Sequence, residues 1–239
     1  MNKPVHVIVA AATFALLVAS CGGGKALVNP VVAEVEDWQK LAAAGRYDAI
    51  AADNITSACA SDPAREGCGR LAALHGEANL RVALAGRAPG AVCPAGGSDA
   101  AALTGRLDTA AADLGRARAS ADPRLDTAAR STLAALRAHA LYCLAETAAS
   151  FDAADRNARA AETEAATAPA PDNALWQGRA ALLLAGTGHG DDATRCAATR
   201  RAEAAARAGQ AAPGAYADQF ARLVVDARTQ RRLIAACGS

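Results

Sequence analysis

The sequence contains few aromatic residues and no excess of charge of either sign. Aromatics make up 3% of its 239 residues, and 25 basic side chains are balanced by 24 acidic ones, for a formal net charge of +1. Proteins that bind nucleic acids carry basic surfaces and aromatic platforms on which bases stack. We therefore expect no nucleic-acid partner.

Motifs typical of enzymes and metal sites are also missing. The sequence has no Gly-x-Ser-x-Gly elbow, no His-Glu-x-x-His pair, no phosphate loop ending in Gly-Lys-Ser/Thr and no two cysteines separated by two residues. His75 and His139 fall on predicted helices and are interpreted as ordinary packed side chains. His189 with Asp191 and Asp192 could resemble a metal cluster, but the aspartates are better explained as a helix cap. We predict no catalysis, no metal and no cofactor.

The N-terminal segment has the three parts of an export signal. Lys3 supplies the cationic start, an apolar run extends from Val5 to Val18, and small residues precede Cys21. The apolar run is shorter than the roughly 20 residues that a membrane-spanning helix needs. We interpret residues 1–20 as a signal peptide rather than as a membrane anchor.

The Val-Ala-Ser-Cys run that ends at Cys21 resembles the lipobox of bacterial lipoproteins. The resemblance implies cleavage before Cys21 and acylation of that residue, with residues 21–28 as a lipidated, flexible tether. Gly22 stands where an aspartate commonly marks inner-membrane retention in this family, which favours the outer membrane, facing the periplasm. The alternative is an ordinary cleaved signal peptide that happens to contain a cysteine.

Alanine dominates the rest of the chain. It accounts for 71 of the 239 residues and is the best helix former, whereas valine and isoleucine are sparse and no long run alternates with period two. Residues 29–239 are therefore predicted to form one all-α domain. Because alanine buries little apolar area, such a domain gains less hydrophobic stabilisation than its length suggests. We therefore expect it to need covalent cross-links.

Cysteines can supply those cross-links as disulfide bonds. An even number in an oxidising compartment indicates up to three disulfides, whose pairing the sequence leaves open. A short Asp-Pro turn separates two of the six, and these two are predicted to pair with each other: Cys59 with Cys68. The remaining candidates are Cys93, Cys143, Cys196 and Cys237. Cys143 falls on the apolar stripe of its predicted helix, as a buried half-cystine would.

Proline marks the predicted helix starts. Asn29-Pro30, Asp62-Pro63 and Asp122-Pro123 each combine a capping side chain with proline at the first helical position. The intervals between them are unequal, which predicts an irregular array of helix hairpins. A single helix from Pro213 to about Ala235 is expected to cover the last apolar face.

Two predicted helices share a local signature. Each contains Trp-Gln followed by two alanines, with the glutamines at Gln39 and Gln177. The signature resembles the first helix of a tetratricopeptide repeat, although Arg179 replaces the large apolar residue that Leu41 supplies in the first copy. The resemblance implies a curved α-solenoid whose groove binds an extended peptide or a partner's helix, with Gln39 and Gln177 facing that groove. The alternative is an alanine-rich bundle without repeats.

Two functions follow from these features. The first is a membrane-anchored lipoprotein that acts as a protein- or peptide-binding scaffold in the cell envelope. The alternative is a small-ligand binding or sensing lipoprotein, with a pocket between helices and the loop around Cys93 as its lid. A deep, closed, apolar cavity would favour the second function over the first.

Overall fold

The computed structural model describes residues 29–87, 91–95, 99–186, 190–211 and 214–237. Within these ranges the chain is all-helical, with no strand, as the sequence predicts. The predicted signal peptide and the tether with Cys21 lie outside the described residues. The α-helices are α1 (Pro30–Ala43), α2 (Tyr47–Ala52), α3 (Ser57–Ser61), α4 (Cys68–Ala85), α5 (Ala100–Ala119), α6 (Thr127–Glu146), α7 (Phe151–Ala165), α8 (Asp172–Gly186), α9 (Asp192–Ala211) and α10 (Ala217–Arg232).

From α4 onward the helices form two rows. Each helix packs against the next one in the chain, and α4 also contacts α6, α6 contacts α8 and α8 contacts α10. We call these four helices the first row, and α5, α7 and α9 the second row. Glu164 of α7 pairs with Arg118 of α5, and Glu162 pairs with Arg201 of α9 at 2.7 Å. The predicted irregular array of helix hairpins is thus confirmed.

The N-terminal helices pack on the start of this array. Val31, Val35 and Trp38 of α1 are buried together with Ile50 of α2 and Leu71 of α4. The chain after α1 forms two short helices, α2 and α3, before α4 begins. The buried side of α1 follows the helical spacing of its apolar residues.

Small residues allow the helices to approach closely. A Cβ atom added at Gly76 of α4 would lie 2.8 Å from Leu114 of α5, and one at Gly209 of α9 would lie 2.2 Å from the ring of Phe220. Such distances are shorter than van der Waals contact, so neither position has room for a larger residue. Glycine at these two positions therefore permits close contacts between neighbouring helices.

Only the first of the three predicted Asx-Pro helix starts is correct. The side chain of Asn29 accepts a hydrogen bond from the backbone N–H of Val31, with proline at the first position of α1. The prediction at Asp62-Pro63 is wrong, because residues 63–67 form turns and α4 begins at Cys68. The prediction at Asp122-Pro123 is also wrong, since Asp126 caps α6 by accepting from Ala129 at 2.7 Å.

Asp122 has a different role. It is 4% exposed and accepts hydrogen bonds from the backbone N–H of Gly67 at 3.2 Å and from Arg70 Nε at 3.1 Å. It also accepts from the N–H of Arg124 at 3.0 Å. A buried carboxylate is stable only when its oxygens are paired in this way. This aspartate therefore ties the turn before α6 to the start of α4, which sequence spacing could not indicate.

All six predicted half-cystines are paired. The Cys59–Cys68 bridge is the one predicted from the sequence, and the others join Cys93 to Cys143 and Cys196 to Cys237. Cys143 is fully buried, as the stripe on α6 predicts. The three bridges close loops of 9, 50 and 41 residues.

The terminal helix covers the end of the array, although it is shorter than predicted. Pro213 lies outside the described residues, and α10 is preceded by a 3-10 turn at Gly214–Tyr216. Phe220, Leu223 and Val224 lie on one face of α10, which packs against α8 and α9, and all three are buried. None of the helices in the described ranges is both long enough and apolar enough to cross a membrane.

Candidate functional site

The first row of helices carries a cleft between α6, α8 and α10, which we call the row cleft. Its volume is about 540 Å³, within the range of sites that bind small molecules or short peptide segments. Three leucines supply its apolar surface. Its charged lining residues are Glu146, Arg179, Arg222 and Asp226. This lining combines leucines with charges of both signs. It therefore differs from the deep, closed, apolar cavity that would indicate a small-ligand binding protein.

Arg179 is the most unusual residue of the row cleft. It projects from α8, and its Nη2 donates a hydrogen bond to Oε1 of Gln219 on α10 at 3.0 Å. Its guanidinium carbon lies 5.9 Å from the ring centre of Tyr142 on α6. The Nε atom is buried and has no hydrogen-bond partner in the described part of the chain. A buried donor without an acceptor is unfavourable, so Nε is an unsatisfied donor inside the fold, while Arg179 itself lines the row cleft.

Tyr142 and Glu146 form the α6 side of the row cleft. Tyr142 is 5% exposed, and its hydroxyl donates a hydrogen bond to Oε1 of Glu146 one helical turn later. Burial and then the neighbouring Glu146 carboxylate raise the pKa of Tyr142 well above its usual value. The hydroxyl therefore stays protonated at neutral pH and donates to Glu146, whose carboxyl group also lines the cleft.

A loop segment contributes to the lining of the row cleft. Val92 lines the cleft, and its carbonyl oxygen accepts a hydrogen bond from Nε2 of His139 at 3.1 Å. The His139 ring stacks on Trp176 of α8, with ring centres 4.2 Å apart. Burial lowers the pKa of His139 to about 4, so the ring is neutral at physiological pH. The neighbouring Cys93–Cys143 disulfide holds this loop covalently against α6.

The same region contains the group that most resembles a metal site. Potential ligand atoms of Cys93, His139 and Cys143 lie within 4.8 Å of one another. Metal binding requires thiolates, whereas the two sulfurs are bonded to each other here. Sequence spacing did not reveal this trio, because Cys93 and Cys143 are 50 residues apart. In its disulfide form the trio positions the loop.

A second polar cluster lies between α4 and α5. Nδ1 of His75 is 2.5 Å from Oδ2 of Asp113, which is only 1% exposed. The amide of Asn79 donates to the backbone carbonyl of His75 at 3.0 Å, and Trp38 stacks on the imidazole at 5.8 Å. A histidine oriented by an aspartate can serve as a general base, but it needs a nucleophile beside it. The described contacts of this ring include no serine or cysteine, and the cluster joins two helices.

The predicted groove residues lie elsewhere. Gln39 of α1 and Gln177 of α8 are both half-buried, and neither lines the row cleft. His189 lies outside the described residues. Asp191 accepts a hydrogen bond from the N–H of Thr194 at 2.8 Å, as the predicted cap of α9, and this bond lowers its pKa.

Sequence reasoning did not identify Arg179 as a site residue. The sequence feature that could have identified Arg179 was its departure from the repeat pattern. An arginine at a position where the first copy has an apolar residue indicates a side chain with a polar partner.

Comparison of the chain with known proteins found no matching family model, curated protein or solved structure.

Proposed function

We propose that the protein is a lipid-anchored envelope scaffold that binds an extended peptide segment of a partner protein in the row cleft. The observation that carries the proposal is the position of Arg179, which lines the row cleft beside three leucines and is held there by its hydrogen bond to Gln219. A guanidinium donates to carbonyl and carboxylate oxygens, and an extended peptide presents one carbonyl at every residue. Such a ligand would offer a row of acceptor oxygens to an arginine that lines the cleft.

The composition of the row cleft supports a peptide rather than an apolar small molecule. Leu182, Leu183 and Leu223 offer apolar contacts, and the carboxylate of Glu146, which also lines the cleft, offers a further acceptor. A peptide backbone carries both donors and acceptors, so its binding surface needs both kinds of partner. The tetratricopeptide-like signature of α1 and α8 supports the same ligand class.

The small-ligand function is the second candidate, and the loop at Val92 favours it. Because Cys93 is bonded to Cys143, the loop cannot swing freely away from α6. It would therefore act as a fixed wall of a pocket, rather than as a mobile lid. A fixed wall of this kind suits a compact ligand of defined shape, because less freedom is lost when it binds.

The envelope location is supported by two features of the chain. The lipobox-like run ending at Cys21 is typical of acylated lipoproteins, and more than one acyl chain gives stable anchoring. Disulfides persist in oxidising compartments such as the periplasm, and six cysteines of this chain are paired. We propose the outer membrane, with the helical array facing the periplasm.

Site-specific photocrosslinking tests the binding function. A photoreactive amino acid at Leu182 lies in the row cleft, whereas one at Thr163, which is exposed on α7, lies outside it. We expect discrete protein adducts in intact envelopes from position 182 only. Arg179→Gln should abolish them, because the amide cannot replace the guanidinium charge.

A matched arginine controls for the loss of charge. Arg156 is exposed on α7, and Arg156→Gln should leave the adducts intact. Adducts that survive Arg179→Gln, or that form equally from Thr163, would contradict the proposal. A low-mass adduct in native mass spectrometry, without protein crosslinks, would instead support the small-ligand function.

Anchoring is tested separately. Cys21→Ser should move the protein from the membrane fraction to the soluble fraction and abolish palmitate incorporation. Unchanged fractionation and labelling would refute the lipoprotein assignment while leaving the crosslinking result interpretable.

A further inference from the structure

A second cleft lies between α9 and α10 and is strongly basic. We call it the arginine cleft. It has a volume of about 580 Å³, and its charged lining residues are Arg200, Glu203, Arg207, Arg228, Arg231 and Arg232. Five arginines and one glutamate give this surface a formal charge of +4, whereas the whole chain carries +1. Positive charge is thus concentrated in one place.

Glu203 fixes three of these arginines. It is 7% exposed, and its Oε1 accepts hydrogen bonds from Arg207 at 2.6 Å and from Arg228 at 2.8 Å. Its Oε2 accepts from Arg231 at 3.1 Å. The hydrogen bond from Arg228 is the main cause that lowers the pKa of Glu203, which is therefore ionised at neutral pH. One carboxylate holds three guanidinium groups in place but neutralises only one of their charges.

The other two arginines have no such partner. Arg200 and Arg232 are exposed and make no ion pair with any described residue. Guanidinium groups bind phosphate oxygens through paired N–H donors, and groups held in place beforehand lose less entropy on binding. The arginine cleft therefore combines a fixed set of donors with free positive charge.

Ordinary helix electrostatics explains only part of this arrangement. Arg231 and Arg232 lie in the last turn of α10, where a cation stabilises the helix dipole. Arg200 lies in the middle of α9, where the dipole has little effect. Like charges gathered around one carboxylate repel each other, so an anion between them would be stabilising.

We propose that the arginine cleft is a binding site for an anion with two or more phosphate charges. A lipid head group and a soluble phosphate compound share this chemistry. Leu233 directly follows Arg232 and is 73% exposed, and an apolar side chain beside a basic cleft suits the surface of an anionic membrane. The site is separate from the row cleft and does not depend on peptide binding there.

Two probes test the proposal on the full chain carrying Cys21→Ser, which removes the acyl anchor. Inorganic pyrophosphate is titrated by calorimetry, and vesicles of phosphatidylcholine with and without cardiolipin are tested by co-sedimentation. We expect binding to pyrophosphate and to the cardiolipin vesicles, weakened by added salt. The double variant Arg200→Gln/Arg232→Gln should lose about tenfold in affinity for each arginine, or about a hundredfold in total.

A control variant with the same change in net charge distinguishes the loss of this site from a general effect of lower positive charge. Arg124 and Arg156 are exposed, and their replacement by glutamine changes the net charge by the same amount. This control should bind as tightly as the parent, and circular dichroism should show both variants folded. Equal weakening in both double variants, or no binding of either probe, would overturn the proposal.

Leu233→Ser then identifies the source of the phosphate. If the natural ligand is a lipid, this variant should lose vesicle binding and keep its affinity for pyrophosphate. If both affinities persist, the site is for a soluble phosphate compound.

Discussion

Removing the Cys93–Cys143 bridge should destabilise the fold more than removing the Cys59–Cys68 bridge. A disulfide stabilises the folded state mainly by restricting the unfolded chain, and the effect grows with the length of the closed loop. The loops contain 50 and 9 residues. The chain-entropy relation gives about 4 kcal/mol for the longer loop and about 2.5 kcal/mol for the shorter one. A difference of about 1.5 kcal/mol is large against a typical total stability of about 5 to 15 kcal/mol.

The two bridges form a matched pair because all four cysteines are buried, with exposures from 0% to 8%. Replacing both cysteines of a bridge by alanine therefore removes similar packing in each case. Urea unfolding followed by far-ultraviolet circular dichroism gives the free energy of unfolding, and equal slopes would show comparable unfolded states. Equal losses from the two double variants, or a greater loss from Cys59→Ala/Cys68→Ala, would refute the loop-length reasoning.

Two further predictions concern packing and pH. Gly105→Ala should stabilise the protein by about 1 kcal/mol, because the space around this helical glycine is open. Gly209→Ala should destabilise it by about 1 to 3 kcal/mol, because the added methyl group would clash with the ring of Phe220. Changes of the same sign in the free energy of unfolding, measured by urea titration, would contradict this prediction. His139 has a pKa of about 4 when folded and about 6.5 when unfolded, so the unfolded state binds its proton first as pH falls. Stability should fall between pH 6.5 and 4 by up to about 3 kcal/mol, and His139→Gln should remove that component of the measured pH slope.

Local patterns in the sequence were sufficient for the class of fold and for the buried faces. The apolar stripe of α10 predicts the burial of Phe220, Leu223 and Val224, because side chains three and four residues apart share one helix face. The Cys59–Cys68 pair was predictable because only a short turn separates the two residues. In each case the interacting groups are close in the chain.

Predictions failed where a distant residue determined the local structure. Asp122 has the sequence context of a helix cap, yet it accepts hydrogen bonds from Gly67 and Arg70, more than fifty residues earlier. The row cleft was missed for the same reason, since Arg179 and Tyr142 come from different helices. Spacing along one helix does not show which face of another helix lies opposite.

The three disulfides close separate stretches of the chain, at residues 59–68, 93–143 and 196–237. A protease cut within one of these stretches, such as in the turn at 120–126, would leave the two fragments covalently joined. A cut at 147–150, between α6 and α7, would allow them to separate. Residues 144–195, like residues 69–92, are therefore a stretch where a single nick can divide the molecule, because no disulfide spans it.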